Sequence, residues 1–274
     1  MIEAILALCF GLVIGSFLNV CIHRWPRGRS VIKPRSHCVR CRKTIAWYDN
    51  IPVVSYLLLR GRCRHCGRHI SIRYPVVELI TGLLFFFFVW TLGPVAAAIK
   101  MCVFSAITLG LTFSDLEKRL LPDELTLGGV LIGFAFSVFV RVPDFTGSAM
   151  VWMFGGGEVT GRWQWVTESA CGALLPALFL WGGGWLYERV RHREGLGLGD
   201  VKLIAMVGSF LGLRHALLTL ILGSVAGSIL GYGYIKATGK DPSTYPLPFG
   251  TFLGAAALAV ALAGQKMLGW YSGL

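Results

Sequence analysis

IEAILALCFGLVIGSFLNVCI, residues 2–22, carries a single charge, Glu3, and is followed at once by Arg24, Arg27 and Arg29. About 20 apolar residues are enough for a helix to cross the roughly 30 Å hydrocarbon core of a bilayer. The positive charges follow the apolar run instead of leading it, which is not the order of a secretory signal. The stretch therefore predicts a retained transmembrane helix with its amino terminus outside, and the rest of the chain threads from it.

Composition agrees. The 274 residues are 55% hydrophobic and 15% charged, with a mean hydropathy of +0.65, whereas soluble domains are about a quarter charged. This is the profile of an all-α polytopic membrane protein. The net charge of +12 is concentrated in one place: residues 23–75 hold 13 Lys and Arg against one acid, Asp49, and elsewhere 13 bases balance 13 acids. A basic loop between apolar spans reports a cytoplasmic orientation and contact with membrane lipid. Nucleic-acid binding is the competing explanation for a basic patch, and no nucleic-acid partner is expected here.

Eight spans are expected, at 2–22, 76–92, 94–114, 124–140, 167–187, 201–213, 215–235 and 249–270. They leave 21 Lys and Arg inside, among them Lys118, Arg119, Arg189, Arg191, Arg193, Lys202, Lys236 and Lys240, against five outside: Lys100, Arg141, Arg162, Arg214 and Lys266. The sixth is short, since about 13 helical residues reach only about 20 Å; it reads as a buried or tilted piece that needs neighbours. Segment 141–166, with Trp152, Trp163 and Trp165, reads as an outer interfacial hairpin or loop. Gly223, Gly227 and Gly231 recur every four residues, a pattern for close helix packing. The division that follows is a first transmembrane helix at 1–22, a cytoplasmic loop domain at 23–75 and a membrane domain at 76–274.

Three groups of residues carry chemistry. Cys38-Val39-Arg40-Cys41 and Cys63-Arg64-His65-Cys66 are two CxxC knuckles whose spacing suits a tetrahedral four-thiolate zinc site. A pair of disulfides would be the alternative in an oxidising compartment, but cytoplasmic thiols stay reduced. A loop of this length with few large apolar side chains has little core of its own, so the metal would hold its fold together. Cys9, Cys21, Cys102 and Cys171 lie in spans as small hydrophobes.

The other two groups are Asp115, at the inner end of the third span, and Asp200, closing Gly195-Leu196-Gly197-Leu198-Gly199-Asp200 at the start of the sixth. An Asp at a helix start commonly just caps it. Here both carboxylates reach the same membrane face, and two juxtaposed carboxylates tend to share one proton. That asymmetry suits peptide hydrolysis, with one Asp accepting a proton from water and the other hydrogen-bonding the scissile carbonyl. Asp123 reads as a cap or first-turn acid, Glu117 and Glu124 as solvent-facing, and Lys202 as a snorkelling side chain. The alternative from another class is a non-enzymatic transporter or scaffold using Asp115 and Asp200 as an ion relay. A zinc protease is disfavoured, because four Cys ligands leave no open position on the metal.

Taken in order, these residues resemble the type IV prepilin leader peptidases, membrane aspartyl proteases of the GxGD kind. The resemblance runs through Gly15-Ser16-Phe17-Leu18-Asn19-Val20 with Arg24 and Pro26, the paired CxxC loop, and Arg73-Tyr74-Pro75 with Glu78. It continues through Asp115 to Leu121-Pro122-Asp123, Gly197-Leu198-Gly199-Asp200 with Lys202, and Pro248-Phe249-Gly250. It implies that Asp115 and Asp200 are the catalytic pair in a multi-pass protein of the bacterial inner membrane, with the site facing the cytoplasm. It further implies that the substrates are prepilins and pseudopilins of pilus and type II secretion systems, cut after a short basic leader. The new amino terminus would then be N-methylated from S-adenosylmethionine. No stretch of residues 23–75 has the glycine-rich pattern of a Rossmann-like methyltransferase, so methyl transfer rests on the resemblance alone. Asn19, Arg73 and Glu78, polar or charged groups near the membrane boundary of this loop, are open to a role in that reaction and equally to one as structural hydrogen-bond partners, the reading preferred here. The chain departs from the family in a long outer segment and in Thr251, where Pro is common; the expected effect of Thr251 is a different bend at the start of the last span.

Overall fold

The computed structural model describes residues 1–142, 144–154, 157–192, 196–239 and 247–272. Gly195, Arg193 and Lys240, used in the threading above, lie outside the described residues. Eleven α-helices occur among those described, joined by short turns, and the extended pairings are two isolated bridges. The chain forms two compact units, Met1–Gly110 and Leu111–Leu274, and the division falls inside one helix.

The first unit is built on α1 (Ile2–Arg24) and α3 (Arg73–Leu92), which run antiparallel. Gly11 and Gly15 let the backbones meet: a Cβ on Gly11 would lie 2.8 Å from Gly82 Cα, and one on Gly15 2.6 Å from Glu78 Cα. Small residues at such crossings replace the hydrophobic driving force that lipid does not supply. Where α1 ends, Arg24 turns the chain, its guanidinium donating to the carbonyls of Ser30, Val31 and Pro34. The connection to α3 contains one short helix, α2 (Val54–Leu58), and two single 3-10 turns. Its side chains are mostly exposed or half-buried, as expected for a loop without a core.

α4 (Ala96–Lys118) leads into the second unit, where it ends at Arg119, a left-handed residue at φ 53°. The remaining helices are α5 (Asp123–Ser137), α6 (Thr146–Met153), α7 (Arg162–Arg191), α8 (Leu198–Leu211), α9 (Leu213–Ala226), α10 (Tyr232–Thr238) and α11 (Phe249–Ser272). A π-helical turn, Gly227–Gly231, joins α9 to α10. The core is α8, whose Leu203, Ile204, Met206, Val207 and Phe210 are fully buried among α5, α7, α9 and α11. The glycine row behaves as expected. Cβ atoms on Gly223 and Gly231 would press on Leu253 and Leu247, so the row lies against the α11 side of the unit.

Eight apolar helices stand near the eight expected spans, but among the described residues six are long and apolar enough to cross a membrane. The two that fall short are α5 and α8, of 15 and 14 residues; at 1.5 Å per residue they reach about 22 Å, well under a bilayer core. α8 is enclosed by its neighbours, and α5 lies against it at Gly133, where a Cβ would press on Ser209 and Phe210, while its Leu131 stays exposed. The backbones of α7 and α8 touch at Gly172 and Gly208, and the Ser169 hydroxyl donates to the Ser209 carbonyl at 2.7 Å.

The segment expected as an outer hairpin or loop contains a helix, α6. Asp144 accepts the backbone N–H groups of Phe145, Thr146 and Arg214. Glu168, fully buried on α7, accepts Gly147 N–H, Ser148 N–H and the Ser148 hydroxyl. These two acids take up the unpaired N–H groups at the starts of α6 and α9. Sequence reasoning passed over both, because nothing local distinguishes an acid that will be buried from one in solvent.

Candidate active site and metal centre

Asp115 lies in the last turn of α4 and is buried. Its Oδ2 accepts the Thr251 N–H at 2.6 Å and the Thr251 hydroxyl at 2.8 Å. Thr251 is in the first turn of α11, and its N–H, shared with the Pro248 carbonyl at 3.2 Å, points out of the helix start, so the carboxylate sits on the positive end of a 24-residue helix. The expected bend at Thr251 is thus not its main consequence: it supplies two donors to Asp115, of which a proline could supply neither.

Asp200 arrives from the first turn of α8. It does not cap that helix, since Gly197 is the N-cap. The point where the carboxylates converge is Gly250. A Cβ there would be 3.1 Å from Asp115 Cγ, 3.1 Å from Asp200 Oδ1 and 3.0 Å from Leu121 Cδ1, which puts the two acids within about 6 Å of each other. Leu121 also presses on Gly199, whose Cβ would be 3.1 Å from the same Cδ1. The second glycine of the Gly197-Leu198-Gly199-Asp200 stretch thereby admits Leu121, the wedge that sets α8 at this distance. Between α9 and the start of α11, Leu247, Phe249, Phe252, Ser224, Gly227 and Ser228 line a largely apolar recess of about 230 Å³.

Asp123 is a first-turn acid of α5, as expected. Lys202 does not snorkel alone: its Nζ donates to Asp123 Oδ1 at 2.7 Å. Glu117 and Glu124 are exposed.

In the first unit the two CxxC knuckles have the same fold. Each is closed by an isolated bridge, His37 with Thr44 and Arg62 with His69. In each the first cysteine N–H donates across the turn, Cys38 to Lys43 and Cys63 to Arg68. In each the residue after the second cysteine is left-handed, Arg42 at φ 58° and Gly67 at φ 65°. All four Sγ atoms lie within 4.8 Å of one another, and Cys38 Sγ is 3.9 Å from Cys66 Sγ. A tetrahedral zinc with Zn–S bonds of about 2.3 Å holds its sulfurs about 3.8 Å apart, so the cluster fits a metal ion. The eight cysteines are free thiols. Asp49 ties the preceding turn to the second knuckle through a two-pronged pair with Arg64, at 2.8 and 2.7 Å. Arg64 holds the Asp49 carboxyl below the usual carboxylate range by that hydrogen bond.

Asn19 and Glu78 are buried and hydrogen-bonded, as expected of structural partners. Asn19 Nδ2 donates to the Gly15 and Tyr74 carbonyls, and Glu78 Oε2 accepts the Val53 N–H at 2.8 Å. Val53 itself is held at φ 60°, ψ −50°, a conformation that costs a β-branched residue about 1–3 kcal/mol. Arg73 lays its guanidinium over the Tyr74 ring, 4.7 Å from the centroid.

Residues 9–92 match the bacterial Peptidase A24 N-terminal domain, and residues 102–232 match the type IV leader peptidase family. The chain is 34% identical to a prepilin leader peptidase/N-methyltransferase of Aeromonas salmonicida, over 97% of this chain and 92% of that protein. It is 35% identical to one of Aeromonas hydrophila over the same shares, and 38% identical to one of Myxococcus xanthus over 86% of this chain and 64% of that protein. The chain belongs to the type IV leader peptidase family. No solved structure matches it. This leader peptidase relative is a multi-pass membrane protein, with six helices among the described residues long and apolar enough to cross a bilayer. The four cysteines fall within the first match and both aspartates within the second, while Gly250 and Thr251 lie beyond it.

Proposed function

We propose that the protein is a membrane aspartyl endopeptidase that removes the basic leader of prepilins and pseudopilins and then N-methylates the exposed amino terminus. The observation that carries the peptidase reading is the convergence of Asp115 and Asp200 on Gly250. Asp115, whose Oδ2 already accepts two donors, is the member suited to stay ionised, and Asp200 the member to hold the shared proton. The ionised carboxylate takes a proton from a water molecule as its oxygen attacks the scissile carbonyl. The protonated carboxyl hydrogen-bonds that carbonyl oxygen, and the proton collected from water passes to the leaving amine. Glycine at position 250 leaves the carboxylates open to a peptide backbone.

The charge bias supports a site at the cytoplasmic face of the inner membrane, where a basic leader joined to an apolar pilin helix would present its junction. In this reading residues 1–22 anchor the chain, residues 23–75 form a loop domain and residues 76–274 carry the peptidase. Zinc would be held by Cys38, Cys41, Cys63 and Cys66, supplying cross-links and no open coordination position. S-adenosylmethionine would supply the methyl group.

The test is cleavage of a prepilin by the purified protein in detergent. Wild type should release mature pilin, while Asp115→Asn and Asp200→Asn should each lose about 10²–10⁴-fold in rate. If all three cleave alike, both acids are structural and the peptidase mechanism falls.

A further inference from the structure

The peptidase reading leaves unused two acceptor groups in the first unit. Asn19 is 1% exposed, and its Nδ2 donates to the carbonyls of Gly15 and Tyr74 at 3.3 and 3.0 Å. A carbonyl can only accept, so these two partners fix which way the amide faces. Oδ1 is thereby turned the other way, buried and with no hydrogen-bond partner. Buried acceptors are nearly always satisfied, and one that is held unsatisfied by its own side chain's other end is a site waiting for a donor.

The second acceptor is Glu78. Gly15 packs against Glu78 while Asn19 bonds Tyr74. Asn19 is four residues beyond Gly15, and Tyr74 four before Glu78. In an antiparallel pair these are successive levels, so the Asn19 amide and the Glu78 carboxylate stand about one turn apart on the α1–α3 seam. Glu78 is 7% exposed; it accepts the N–H of the strained loop residue Val53 and the hydroxyl of Ser16 on α1. A neutral acceptor and a carboxylate on one seam repel anions and favour a cation with several N–H groups. Arg73, the neighbouring cation on α3, is stacked on Tyr74.

The geometry points to this seam as the seat of the α-ammonium of the processed pilin chain, with Asn19 Oδ1 and Glu78 accepting its N–H groups. The inference rests on the methylation reading above and assigns residues to it. An ammonium nitrogen has no lone pair, so it must lose a proton before it can be methylated. Glu78 takes that proton. The amine lone pair forms the new N–C bond as the C–S bond of the sulfonium donor breaks, its electron pair leaving on sulfur. The product is a secondary ammonium and a thioether, and Glu78 returns its proton to water.

The experiment uses the full-length protein and a synthetic peptide of the mature pilin amino terminus, with its α-amine either free or acetylated. Wild type should bind the free-amine peptide roughly tenfold more tightly than the acetylated one, as expected for a hydrogen bond to a charged group. Glu78→Gln, which retains an acceptor for the Val53 N–H, should abolish that preference and leave binding of the acetylated peptide unchanged. Glu78→Asp should restore part of it. Equal affinity of wild type for both peptides, or an equal loss for both in Glu78→Gln, overturns the assignment. So does methylation by Glu78→Gln at the wild-type rate. Wild type that distinguishes the peptides but cleaves no prepilin overturns the peptidase mechanism and leaves the ammonium seat standing.

Discussion

Cys38, Cys41, Cys63 and Cys66 are half-buried or exposed and come in pairs from two short turns, whereas Asp115 and Asp200 stand 85 residues apart and meet where the end of α4 and the start of α8 come together at Gly250. The knuckles are closed by their own backbone bonds; four sulfurs bring one to the other, and the Asp49–Arg64 pair ties the intervening turn to the second. The acids are placed by long-range packing: Leu121 between Gly199 and Gly250, Thr251 on Asp115, and α8 enclosed by four helices. A loop without a core concentrates its stability in one ligand-dependent cluster. A bundle spreads it over many contacts, none of which is decisive alone.

That contrast can be broken most forcefully at the cluster. Structural zinc contributes roughly 10 kcal/mol or more where it organises a small fold, so Cys63→Ser or strong chelation should expose residues 28–72 to limited proteolysis by roughly a hundredfold. Helical circular dichroism from the bundle should persist, and methylation should be lost before cleavage. A zinc-free protein with a protected loop and unchanged methylation would contradict this.

Gly250→Ala comes next. Its methyl group would stand 3.1 Å from both acids, and displacement of a reacting geometry by about 1 Å can cost about a hundredfold in rate. Prepilin cleavage should fall by that order with little change in melting temperature; wild-type cleavage would mean the chemistry lies elsewhere. Thr251→Val is milder. It deletes the hydroxyl bond to Asp115 and keeps the N–H bond; one bond to a charged group is worth about 1.5–3 kcal/mol, and the lower end of that range, roughly tenfold in cleavage rate, is expected with the N–H bond retained.

The smallest effect belongs to Asp123→Asn. Its pair with Lys202 is 59% and 32% exposed on the two sides, and such pairs contribute about 0.2–1 kcal/mol. Thermal stability should barely shift and cleavage should persist. Loss of cleavage as complete as in Asp115→Asn would make Asp123 a member of the reacting group.

Much of the arrangement was legible in the chain because its causes are local. Twenty apolar residues make a membrane helix wherever they lie, and CxxC gives two sulfurs from one turn regardless of what surrounds it. The spacing of Gly223, Gly227 and Gly231 puts them on one helical face by geometry alone. Thr251 was visible only as a departure from the family, since its hydroxyl and N–H acquire meaning from a carboxylate 136 residues away.

The sequence by itself thus determined the helical membrane class, the cysteine knuckles and the two aspartates as a candidate pair. Tertiary structure alone decided that α5 falls short of a span, which four helices enclose α8, that Asp144 and Glu168 cap buried helix ends, that Lys202 pairs with Asp123, and that Gly250 is where the carboxylates converge. The physical reason is range. Hydrophobic length and turn chemistry act over a few residues and leave a pattern in the chain, while the partner of a buried polar group is chosen by which helices pack together.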